Sequence, residues 1–67
     1  MLYEIVVEPS FFDGMESMNL IDVFIKIEGE PTLIPVYRKI NNTIAFEFIQ
    51  AACAIKYAEI KSKGIVK

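Results

Sequence analysis

From Leu20 to Glu28 apolar and polar residues alternate, with Ile21, Val23, Ile25 and Ile27 on one side and Asp22, Lys26 and Glu28 on the other. Only Phe24 breaks the polar side. A period of two marks a strand with one buried face. The same period in Leu2–Glu8, where Tyr3, Ile5 and Val7 alternate with Glu4, Val6 and Glu8, predicts a first strand that Pro9 ends. Glu28-Gly29-Glu30-Pro31 is turn chemistry, so Thr32–Ile40 returns as a third strand and pairs with the second as a hairpin. Pro35 cannot donate to a ladder, which places that strand at a sheet edge.

The last third of the chain follows another period. From Thr43 to Lys63 the spacing predicts a helix, capped by Asn42 or Thr43, with Glu47 near its positive end, Lys61 and Lys63 near its negative end, and Gly64 as its stop. At about 100° per residue, Ile44, Phe48, Ala51, Ala52 and Ile55 share one face, and Phe46, Ile49, Cys53 and Ile60 share a second. The strands of so short a chain cover one apolar face. The second is assigned to another copy of the chain, through Phe46, Ile49, Cys53 and Ile60.

Between the first two strands, Ser10–Met18 reads as the least regular stretch, an apolar loop turning at Asp13-Gly14. Phe11, Phe12, Met15 and Met18 are too many large apolar residues for an ordinary connection. They serve either as a lid over the core or, with Asp13 and Glu16, as the surface that grips a partner. The order strand, loop, strand, strand, helix predicts an α+β fold. A small antiparallel sheet of about three strands carries one C-terminal helix across it, and residues 1–67 form a single domain.

Size sharpens the case for self-association. A 67-residue chain buries only about 60% of the surface its unfolded form exposes, so small domains lean on disulfides, metals or oligomerisation. Cys53 is the single cysteine and there is no histidine, so neither an internal disulfide nor a zinc site is expected, and 54% hydrophobic content leaves oligomerisation, a dimer above all. Cys53 lies between Ala52 and Ala54 and reads as a small buried hydrophobe. The net charge of −2 conceals a division, with seven acids against Lys26 in residues 1–30 and six bases against Glu47 and Glu59 in residues 31–67.

Catalytic patterns are not found. There is no histidine base, no nucleophile in a triad context, no glycine-rich phosphate cradle and no carboxylate pair with convincing spacing. No enzyme and no cofactor are expected. Charges interrupt the apolar helix before it could span a membrane, and no basic leader precedes an apolar run, so the expected location is cytoplasmic. Nucleic acid is not the expected partner, because the chain is acidic and no stacking aromatics sit among its bases. The reading is a non-enzymatic protein that self-associates through its helix and binds a larger protein, blocking or bridging it, as a phage or mobile-element inhibitor of a host protein would. The alternative is a small dimeric regulatory module that binds an apolar molecule.

Overall fold

A computed structural model describes residues 3–63. Three strands, β1 (Tyr3–Phe12), β2 (Met15–Ile27) and β3 (Ile34–Asn41), precede one helix, α1 (Phe46–Ser62). The strands form one open antiparallel sheet in the order β1-β2-β3, and the helix packs across one face, the α+β arrangement that the sequence pattern predicts. Gly64, the expected helix stop, lies outside the described residues.

The stretch expected to be irregular is instead paired. Phe12 lies opposite Met15, leaving Asp13-Gly14 as a two-residue loop with φ of 51° and 78°. Two successive positive φ values make a turn whose twist suits a hairpin, and Asp and Gly are among the residues that adopt them most readily. Pro9 does not end β1, because β1 is an edge strand and a missing donor is tolerated there. The register does slip beside it: Pro9 pairs with Ile21 and Phe11 with Glu16, so on the β1 side residues 17–20 of β2 face Ser10 alone.

The second hairpin follows the pattern read from sequence. Gly29 has φ of 89°, and Glu30 N–H donates to the Ile27 carbonyl at 2.9 Å. β3 is the other edge, as Pro35 requires, and its register breaks twice. Arg38 and Lys39 together oppose Asp22, and Val36 has no opposite residue.

The core is small: Val23 and Ile25 from β2 meet Ile49 and Cys53 from α1. Half-buried residues surround them, including Tyr3 and Tyr57, whose ring centroids lie 4.7 Å apart. The helix face expected to meet a second copy is therefore the face that the sheet covers. Ile49 and Cys53 are buried, Ile60 is half-buried and only Phe46 of that set is exposed. Of the other stripe, Phe48 is 60% and Ile55 61% exposed, whereas Ile44 packs against the core. Which of two apolar stripes turns inward is a question of packing, on which periodicity is silent.

The helix also begins later than its sequence cues suggest. β3 runs on to Asn41, whose side-chain oxygen accepts the Thr43 N–H at 2.9 Å and the Thr43 hydroxyl at 2.8 Å. Thr43 is held in this turn, Asn42 Nδ2 donates to the Met18 carbonyl, and Ala45 becomes the N-cap, with extended geometry (φ −67°, ψ 140°) and no side-chain acceptor. Ala45→Ser supplies that acceptor and should stabilise the protein by about 1 kcal/mol, read as a shifted urea midpoint with an unchanged slope. No shift would mean that a serine hydroxyl at this position does not reach the free N–H groups of the first turn.

Candidate functional site

Asp22 sits where the two edge strands are irregular. Ser10 Oγ donates to its Oδ1 at 2.6 Å, the Lys39 backbone N–H donates to the same oxygen at 2.9 Å, and Arg38 Nε lies 3.4 Å from Oδ2. One carboxylate thus joins β1, β2 and β3. Ser10 is fully buried and Asp22 is 8% exposed. An unpaired carboxylate in that position would be costly, but this one is hydrogen-bonded, and no buried side-chain nitrogen or oxygen among the described residues lacks a partner. The Ser10 hydroxyl first, then the Lys39 N–H, and more weakly Arg38 and Lys39 as charges, hold the Asp22 carboxyl below its ordinary pKa, outweighing the opposing effect of burial. Lys39 has φ of 60°, a left-handed conformation that disfavours most side chains. Its bond to Asp22 fixes that conformation.

Beyond this junction the β1–β2 hairpin ends in the residues singled out by sequence. The structure brings Phe11, Phe12, Asp13, Met15 and Glu16 to one hairpin end, and Met18 to the bulge behind it. They do not form one continuous face. Phe12 pairs with Met15 and Phe11 with Glu16, and adjacent pairs project to opposite sides of the ribbon. Met15 is 71% and Met18 is 91% exposed, and Phe11 and Phe12 are about half exposed. Lys39 Nζ lies 4.9 Å from the centre of the Phe12 ring, a cation–π contact that links the tip to the Asp22 junction.

The backbone around Met18 is held on both sides. Ser17 Oγ accepts the Asn19 and Leu20 N–H groups at 3.3 and 3.0 Å. From the turn before the helix, the Asn42 N–H donates to the Asn19 carbonyl at 2.9 Å and Asn42 Nδ2 donates to the Met18 carbonyl at 3.2 Å. A large thioether is thereby presented to solvent from a fixed base. A second exposed apolar area lies on the outer side of α1, where Phe48 and Ile55 flank Ala51.

The remaining candidates for chemistry are sparse. Cys53 is buried, and desolvation pushes its thiol pKa up, away from the reactive thiolate. Among the described residues no group of three His, Cys, Asp or Glu side chains could hold a metal, and no helix is long and apolar enough to cross a membrane. A shallow, open groove is lined by Tyr3, Glu4, Lys26, Glu28 and Gly29. Sequence reasoning passed over Ser10, Asp22 and Lys39, which position the tip. The available signal was a carboxylate in mid-strand, which in a regular strand is an ordinary solvent-facing residue.

The lowered pKa of Asp22 gives the pH dependence its sign. As pH falls, the unfolded chain takes up the proton first, so the stability contributed by ionised Asp22 is complete above the ordinary value of 3.8 and is lost as pH falls through the lower folded-state value. Asp22→Asn should therefore melt below wild type at pH 6, and the gap between the two melting temperatures should narrow from pH 4 to pH 2. A gap that stays constant across that range would show that the charge of Asp22 contributes nothing.

No protein-family model matches the chain, no curated protein matches it, and no solved structure matches it.

Proposed function

We propose that this chain is a non-enzymatic interaction protein that grips a larger protein with the β1–β2 hairpin tip, blocking or bridging it. The observation that carries this reading is Met18, a large apolar side chain 91% exposed on a backbone hydrogen-bonded on both sides. Apolar area left in water on a mobile loop is easily covered by a local rearrangement. Here Ser17 and Asn42 oppose that rearrangement, so the cost of ordering the surface is already met before a partner arrives. Phe and Met are also side chains that interfaces favour, and flanking Asp13 and Glu16 keep the tip soluble and bias its orientation on approach.

Self-association belongs to the same reading, through residues other than those first expected. The outer face of α1, with Phe48 and Ile55 on either side of Ala51, is the apolar helix surface left uncovered. A second copy covering it would extend a core that has only four buried apolar residues among the described residues.

Two measurements separate these surfaces. Met15→Ala and Met18→Ala should each change stability by no more than about 0.5 kcal/mol, as exposed positions do, while weakening capture of the partner at least about tenfold. A large fall in melting temperature with undiminished capture would make the segment a lid over the core instead.

For the helix, Phe48→Asp and Ile55→Asp should leave a folded, smaller species by light scattering, whereas Ile49→Asp should unfold the chain by placing a charge in the core. Wild-type protein that is monomeric at tens of micromolar, where an association of about −7 kcal/mol would be visible, would refute the self-association.

A further inference from the structure

The two edges of the sheet are not alike. β3 is guarded: Pro35 lacks a donor, the register breaks twice, and Lys39 takes a left-handed conformation within the strand. Each of these features discourages the addition of another strand. β1 is ten residues long, has β2 on one side and, among the described residues, no strand on the other, and lacks a donor only at Pro9. Among the described residues no other element hydrogen-bonds along its outer side. It is the open edge.

Strand order also turns the charge division of the sequence into a division in space. β1 carries Glu4 and Glu8 and no base, whereas β3, at the far edge, carries Arg38 and Lys39 and no acid. Glu4, Val6 and Glu8 share the sheet face turned away from the helix. Glu4 lies opposite Lys26, but Glu8 lies opposite Asp22, whose own carboxylate is occupied by Ser10, Lys39 and Arg38. Both glutamates are exposed, and neither forms an ion pair among the described residues. On the other face Val7 is exposed, beyond the cover of the helix.

We propose that the open edge of β1 takes up an extended basic segment of another protein as a fourth strand. Main-chain hydrogen bonds to β1 hold it, with Lys or Arg at alternate positions beside Glu4 and Glu8 and apolar residues beside Ile5 and Val7. A second copy of this chain fits less well. Its β1 would crowd four glutamates onto one face, and its β3, though basic, is blocked by Pro35 and the bulges. The inference rests on the reading of the chain as a protein-binding protein, but it uses a surface separate from the hairpin tip.

The test is an NMR titration of the isotope-labelled full chain at low salt with a capped peptide of alternating Lys and Val, and with its Glu–Val counterpart. The Lys–Val peptide should shift and protect the amides of Tyr3–Val7 from exchange, and the Glu–Val peptide should not. The double variant Glu4→Lys/Glu8→Lys should bind the Lys–Val peptide about tenfold more weakly, and Met18→Ala should bind it as wild type does. Unchanged β1 amides, an equal response to both peptides, shifts confined to the outer face of α1, or concentration-dependent protection of β1 without peptide would each overturn the proposal. The two readings fail separately: a silent β1 leaves the tip untouched, and tip variants that retain their partner leave the β1 result standing.

Discussion

The Asp22 carboxylate is the constraint on which the shape of this sheet depends. A regular three-stranded ladder would leave Asp22 on the solvent side of the central strand. Instead the ladder opens on both flanks, placing Ser10 on one side and the left-handed Lys39 N–H on the other, both directed at one oxygen. The irregularities in β1–β2 and β2–β3 pairing are thus coupled. Each supplies a donor that makes burial of the charge tolerable, and a change on one flank leaves the other flank's donor facing a poorly satisfied carboxylate.

That coupling reaches the hairpin tip through short links. Lys39, fixed by its backbone bond to Asp22, places its ammonium over the Phe12 ring, and the bulge opposite Ser10 carries Met18. Asn42, in the turn leading to the helix, ties the same bulge to the body of the protein. The tip is therefore an extension of the sheet whose base is fixed from three directions. On the proposed reading, that base spares a partner the entropy of ordering the backbone beneath the exposed Met and Phe side chains.

The core explains why so much apolar surface stays outside. One helix on three strands buries a core of just Val23, Ile25, Ile49 and Cys53 among the described residues. On the outer side of that helix Phe48 and Ile55 have no strand among the described residues to cover them. Charge is arranged by the same economy of parts. With strands in sequential order the acidic first strand and the basic third strand stand at opposite edges, two strand spacings apart, and cannot neutralise each other directly.

Sequence by itself determined the elements that depend on local chemistry. Alternation in Leu20–Glu28 marks β2 because period two places one set of side chains on one face whatever the surroundings, Pro35 marks an edge because it has no donor anywhere, and Gly29 marks the second turn. The apolar residues of the tip were legible as a candidate surface, since their density is a property of composition. Tertiary structure decided the rest. The segment Ser10–Met18 has no clean period because its register slips at Ser10, where the Ser10 hydroxyl meets Asp22 across strands. The helix starts after Ala45 because Asn41 captures Thr43, a consequence of how far β3 runs. The inward turn of Ile49 and Cys53 was likewise undetermined: periodicity marks two apolar stripes on one helix, and only packing against a particular sheet distinguishes them.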